Sequence, residues 1–422
     1  MHKMVTIASA LVMAAGIASA ASAEPITLRV GYAFAYRDGA YRELVADEFM
    51  RRHPDIKIKL ESNAIDCPAL LQQILRSAIT NDLPDVTAST CYPDMQLLAD
   101  RGIIKPIDEF IENDKTWKEV GVADAALNTV KWHGKTVGLP EAISMVIVYY
   151  NMSLIKQAKP EINDLPKNWD EIFSLAGDVR AINKDVMPIF FEYYPDNYNW
   201  SFNALNYSFG GNVFDENGKI AFDGDAGMHA LGVLQRLGKG GMVDITSVQG
   251  TQAFQAGKIA ICVSSSSYLR SFSVAAESKF DLRTTPFPQS APNGKLPSGG
   301  FGLVMTTKDP AKQQAAWEFM KFAVGPEAQT LLVKNTGFTP INTKATGSPE
   351  YLGDFYKTKP NYLAAVNSIP RVKPQNIYPG ENGAKITTII RDHLQSVVTL
   401  KRTPSEEMPD MVRDVTALLP KK

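Results

Sequence analysis

The chain carries few groups arranged for making bonds and several arranged for recognition. Tyr193-Tyr194-Pro195-Asp196-Asn197-Tyr198-Asn199-Trp200 joins aromatic faces to polar side chains. That mixture suits a sugar. An aromatic ring covers the apolar C–H face of a pyranose, and amides, carboxylates and hydroxyls meet its OH groups. Trp200 is the expected stacking platform; burial of the rings against the protein is the competing use of the same stretch. Ser264-Ser265-Ser266-Ser267-Tyr268 follows an apolar run. Ser265 and Ser266 are expected to present hydroxyls to a ligand, with helix N-capping as the ordinary alternative. Tyr36 and Asp38 lie just beyond the first predicted strand, and Thr90 and Tyr92 at the end of another. The carboxyl edge of a sheet faces the cleft in open α/β folds. Glu141 and Ser144 follow an extended crossing and are placed to hydrogen-bond a hydroxyl. Gly299 and Gly300 allow the backbone to approach a ligand where any Cβ would intrude. Arg371, in Ile369-Pro370-Arg371-Val372-Lys373-Pro374, is the candidate for an anionic substituent.

Catalytic readings are weaker. Asp85 and Glu141 as a carboxylate pair would cleave a glycoside at a separation that sequence does not carry. There is no G-x-S-x-G elbow, no G-x-x-x-x-G-K-[ST] loop and no H-E-x-x-H pair. His53, His133, His229 and His393 are scattered. The expectation is a binding protein with no catalytic residue, no metal and no cofactor.

The elements that must position these groups alternate. Ile26–Tyr32 and Ile56–Leu60 read as strands, and Pro84–Ala88 begins a third. Helical spacing covers Gly39–Arg52 and the run from Leu70 to Ile79, and Met95–Arg101 is a short helix closed by Gly102. Such alternation predicts a mostly parallel sheet covered on both faces. Later come a strand at Val146–Tyr150, a helix opened by Pro166 and Asn168, an apolar strand around Cys262, and closing helices at Ala384–Val398 and Glu406–Leu419. The stretches near Pro140 and Pro286 are the expected hinges between two lobes, whose gap would close over a ligand.

With 422 residues, the chain has room for two or three domains. Its 44 Lys and Arg balance 45 Asp and Glu, which argues against a nucleic-acid coat or a polybasic membrane binder. Residues 1–23 read as a signal peptide: a short basic start, an apolar run from Val5 to Ala20, and the small-x-small site Ala21-Ser22-Ala23. Export to an oxidising periplasm favours a disulfide between Cys67 and Cys91, which flank a helix and the strand after it. Cys262 is left as a small core hydrophobe.

Taken together, the chain resembles the extracellular solute-binding proteins, family 1, of ABC transporters. The residues that carry this are Gly138-Leu139-Pro140 leading to Tyr149-Tyr150-Asn151, and Pro166-Lys167-Asn168-Trp169-Asp170-Glu171. Phe254-Gln255-Ala256-Gly257-Lys258-Ile259-Ala260, Gly299-Gly300-Phe301-Gly302 and Thr336-Gly337-Phe338-Thr339-Pro340 follow in order. The resemblance implies the two-lobe periplasmic-binding-protein fold (type II), α/β, with a ligand cleft between lobes. Residues 24–140 plus about 282–330 would form the first lobe, and 141–281 plus about 331–422 the second. It further implies a carbohydrate or polyol ligand and ABC permease subunits as partners. The branch it is most similar to is the glycerol-3-phosphate-binding and carbohydrate-binding one. In that branch two ligand contacts fall near Cys67 and Cys91, and others at Ser144, at Ser265 or Ser266, and at Gly299 or Gly300. The position of a ligand tyrosine is Phe338, and that of the phosphate-pairing arginine is near Thr387, with Arg391 one turn away. A phosphate would thus lose its best bidentate donor.

Overall fold

The computed structural model of this chain describes residues 24–194 and 197–420. The expected signal peptide, residues 1–23, lies outside the described residues, as do Pro195 and Asp196.

Thirteen strands occur among the described residues. They are β1 (Ile26–Ala33), β2 (Ile56–Ala64), β3 (Val86–Cys91), β4 (Lys131–Trp132), β5 (Lys135–Thr136), β6 (Leu139–Ser144) and β7 (Val146–Asn151). The remainder are β8 (Met187–Phe191), β9 (Ile259–Ser265), β10 (Leu282–Pro286), β11 (Leu296–Pro297), β12 (Gly299–Met305) and β13 (Val372–Lys373). One sheet has the order β2-β1-β3-β12-β6 and the other β10-β7-β9-β8. Each sheet belongs to one lobe. The short pairs β4–β5 and β11–β13 stand apart.

The mostly parallel expectation holds for β2-β1-β3 and for β8-β9. It is corrected elsewhere: β12 runs antiparallel to both β3 and β6, and β7 antiparallel to both β9 and β10. The reason is topological. A strand that re-enters a sheet from the other lobe arrives at the cleft edge and must run away from it.

Three helices prepare the first-lobe edge. Helix α1 (Ala35–Arg52) begins directly after Phe34, which turns the chain at φ 60°. Helix α2 (Cys67–Ile79) is capped by Asp66, whose carboxylate accepts from the Ala69 N–H at 2.8 Å, with proline in the first turn. Helix α3 (Tyr92–Asp100) starts at once after β3, with Cys91 as its N-cap and Pro93 in its first turn. Both α1 and α3 start earlier than their apolar periodicity predicts, because their first turns are polar or aromatic and carry no stripe.

The connections between the two sheets can be followed along the chain. Pro140 pairs with Gly302 inside β6, so it is a sheet residue and no hinge. The chain crosses instead at Met145. There the Met145 carbonyl accepts from Ser266 N–H at 2.8 Å, and the Ser266 hydroxyl accepts from Met145 N–H at 3.2 Å. A second crossing leaves β10 at Pro286 and enters β12 through β11. The helix Pro326–Asn335 runs unbroken across residue 330 and packs on α1, in the first lobe. By Asn361 the chain lies on the second sheet, hydrogen-bonded to Leu282 and Thr284. The helices Gly383–Val398 and Pro404–Thr416 pack on Asp225–Lys239 and complete that lobe.

Candidate functional site

The ends of β3, β6 and β12 meet the start of the helix Trp200–Ser208 where the two lobes adjoin. The second-lobe side of this junction is a tight turn. Tyr198 and Asn199 both have left-handed backbones, at φ 57° and 54°. For residues other than glycine such geometry costs on the order of 1–3 kcal/mol each and persists where surrounding bonds enforce it. Here they do. Asn199 donates from Nδ2 to the Thr387 carbonyl at 2.9 Å and accepts from the Tyr378 hydroxyl at 3.0 Å. Asn203 donates to the Tyr198 carbonyl at 3.1 Å.

This turn aims two aromatic side chains at the first lobe. Trp200 donates from Nε1 to the Pro297 carbonyl at 3.1 Å and stays half-buried. Its ring passes Gly299 so closely that a Cβ there would lie 3.0 Å from the indole and 2.6 Å from Ser144 Oγ. Glycine is therefore required at 299 to bring Trp200 and Ser144 onto one surface. Ser144 Oγ makes no hydrogen bond to a described residue, and the side chain keeps some exposure. Tyr198 donates its hydroxyl to Asp94 Oδ1 at 3.2 Å, which joins the lobes directly.

Asp94 stands in the first turn of α3 and is 5% exposed. Burial pushes its carboxyl up to about 7, and the Tyr198 hydroxyl draws it back in part. The amino end of a helix favours a negative charge by about 0.3–1 kcal/mol, less than the several kcal/mol that burying an unpaired ion costs. The Cys67–Cys91 disulfide is present, with Cα atoms 5.9 Å apart. Its sulfurs lie within 4.8 Å of an Asp94 carboxylate oxygen. They are bonded to each other and so unavailable to a metal. The bridge ties the start of α2 to the N-cap of α3, which fixes the turn that carries Asp94.

The expected site residues thus divide. Ser144, Trp200 and Gly299 come together. Gly300 neighbours them, yet its φ of 111° serves its own strand: a Cβ would strike the Ala142 carbonyl. Several of the other expected residues have partners within the protein. Glu141 is fully buried and saturated. Its Oε1 accepts from Arg42 Nη1 at 2.5 Å and from the Tyr41 hydroxyl at 2.9 Å, and Oε2 from Arg42 Nη2 at 2.9 Å. Asp38 is fully buried in the first turn of α1, where its charge acts on Tyr41 and Arg42. Tyr36 shares that turn, its side chain outside the described residues. Thr90 is buried and donates to the Thr87 carbonyl at 3.3 Å. Tyr92 spends its hydroxyl on the Ala142 carbonyl at 2.8 Å, and burial raises its pKa. Ser266 is fully buried at the Met145 crossing. Ser265 shares its hydroxyl with Ser267 at 2.9 Å and caps the short turn after β9. Phe338 packs edge-on against Phe301 with ring centroids 4.9 Å apart. Arg371 clamps the second crossing, donating to the Phe287 carbonyl at 2.7 Å, and burial lowers its pKa to about 10.

Asp94 and Tyr378 were not among the expected residues, whereas Asn199 lies in the stretch that the sequence singles out. The signal for Asp94 was present: Tyr92-Pro93-Asp94 after a strand is a helix start, with proline and an acid in the first turn.

The profile of the family described as bacterial extracellular solute-binding protein matches residues 45–364. A sn-glycerol-3-phosphate-binding periplasmic protein, UgpB, of Pectobacterium atrosepticum is 25% identical over 403 residues, covering 89% of this chain and 87% of that protein. Among solved structures, UgpB from Mycobacterium tuberculosis in complex with glycerophosphocholine superposes with a TM-score of 0.78 at 19% identity, covering 93% of this chain and 98% of that one. The cyclic α-maltosyl-1,6-maltose binding protein of Arthrobacter globiformis gives 0.77, also at 19% identity and the same coverage. The two-lobe periplasmic-binding-protein fold is shared with both.

Proposed function

The chain belongs to the bacterial extracellular solute-binding protein family, and on that premise we propose that it captures a sugar, oligosaccharide or sugar derivative in the periplasm and delivers it to the permease subunits of an ABC importer. The observation that carries this reading is the meeting of Trp200 and Ser144 at Gly299, with Tyr198, two residues before Trp200, bonded across to Asp94. An indole face, a hydroxyl and a carboxylate are the groups that a polyhydroxylated ring requires. Nothing in this step makes or breaks a covalent bond. Glu141, which a hydrolase would need free, is locked to Arg42. Lobe closure would bury the ligand and present both lobes together to the permease.

A glycerophosphate or another anionic polyol is the second reading, favoured by the UgpB relatives. Against it, two arginines among the described residues are already engaged. Arg42 holds Glu141, and Arg391 holds Asp392 at 2.5 Å while lying 4.8 Å over the Tyr194 ring.

A thermal-shift screen of sugars, polyols, sugar acids and their phosphates, followed by calorimetry, tests the proposal. A stabilising saccharide is expected, and Trp200→Ala should weaken its binding about tenfold to a hundredfold while leaving the unfolding transition cooperative. Unchanged affinity would remove Trp200 from the site. Hydrolysis of the bound saccharide would refute the transport reading.

A further inference from the structure

The junction holds a buried carboxylate whose needs the protein does not meet. An ionised carboxylate offers about four acceptor sites. Asp94, 5% exposed, receives one described donor, the Tyr198 hydroxyl at 3.2 Å. No described cation lies close enough to act on its charge; burial and that hydroxyl alone set its titration. Three other buried acids of the described residues have a cation at hand. Glu141 has Arg42 and Tyr41, Asp85 has Lys312 at 3.1 Å, and Glu407 has Arg402 at 3.1 Å and His393 at 2.5 Å. Glu192, at the carboxyl end of β8, is likewise raised by burial and is met by hydroxyls and backbone alone, Ser264 first among them. Tyr198 and Trp200 bring aromatic faces, which attract cations through the ring quadrupole.

Resting on the capture function proposed above, we infer that the ligand carries an ammonium group, so that the solute is an amino-substituted saccharide or polyol whose cation seats on Asp94 beside Tyr198 and Trp200. A cationic ligand supplies both the charge and the donors that the carboxylate lacks, and a buried ion is retained when its partner is present and well hydrogen-bonded. A phosphate in the same place would meet like charge.

The test is calorimetry on the mature protein with two disaccharides of one shape. The probe is the β-1,4-linked glucosamine disaccharide; its neutral counterpart, cellobiose, has hydroxyls where the probe has ammonium groups. Glycerol-3-phosphate is the anionic control. The wild-type protein should bind the glucosamine disaccharide at least about tenfold tighter than cellobiose, and glycerol-3-phosphate most weakly. Asp94→Asn should bring the two disaccharides to within about threefold of each other, chiefly by weakening the amino sugar. The wild-type selectivity ratio needs no variant, so a misfolded Asp94→Asn would not shelter the inference. Equal or tighter binding of cellobiose, or an unchanged ratio in Asp94→Asn, overturns it and leaves the capture function standing. Binding of none of these, with no saccharide stabilising the protein in the wider screen, overturns both.

Discussion

Glu141 and Asp94 are both buried carboxylates of the first lobe, and they have opposite fates. Glu141 sits on the middle of β6 with two guanidinium hydrogens and a phenol aimed at it. Asp94 sits on a helix start at the lobe junction with one hydroxyl. The first is complete within its own lobe. The second depends on a group from the other lobe and has acceptor capacity to spare. Burial of an acid therefore does not mark a binding site. Under the capture function proposed above, the mark is burial without matching partners, because a fold that retains such a group is destabilised unless something else binds there.

The largest test of the comparison is on the saturated side. Glu141→Gln leaves Arg42 as an uncompensated buried cation, and chemical denaturation should show a loss of about 3–5 kcal/mol. A loss below about 1 kcal/mol would mean that the Arg42 network is not the internal support it resembles. The unsaturated side should respond with the opposite sign. The carboxyl of Asp94 is raised to about 7 in the folded protein, above its ordinary value of 3.8. The protonated form is thus favoured by folding. This group's penalty on stability is absent at pH 4, grows as pH rises, and is complete above about 7. Ligand-free Asp94→Asn should match the wild type near pH 4 and exceed it at pH 8 by roughly 1–3 kcal/mol. A destabilised variant at pH 8 would make Asp94 a structural acid like Glu141. A comparable effect is expected from the link between α2 and the helix that carries Asp94. Reducing Cys67–Cys91, or replacing both by Ser, should cost about 2–4 kcal/mol by denaturation. Ligand affinity should also fall, since Cys91 caps the helix that carries Asp94. Full affinity in the reduced protein would show that α3 holds its turn without the bridge.

Much of the fold was legible because it rests on local rules. The alternation in β2, the stripe of α2 and the break at Gly102 are properties of neighbours in sequence. So is the family resemblance, which is a matter of order and spacing. The bridge between Cys67 and Cys91 was legible from compartment and position. The direction of β12 was not, because an antiparallel partner 200 residues distant leaves no mark on local periodicity. The boundary at Met145 was also missed, since β6 and β7 are both wholly buried runs separated by one residue.

The site was read with less success, for a related reason. Residue type told which side chains are able to touch a sugar, and Ser144, Gly299 and Trp200 do meet. It did not tell which polar groups the protein uses for itself. Glu141, Tyr92, Ser266 and Arg371 look as suitable as Asp94 in sequence, yet each is consumed by a partner at least 50 positions away. Pattern and spacing indicated an α/β chain, and the family resemblance carried by its motifs implied a two-lobed binding protein. The three-dimensional fold decided which hydrogen-bonding capacity is left over, because satisfaction of a buried polar group is a sum over neighbours that the chain brings together only when it folds.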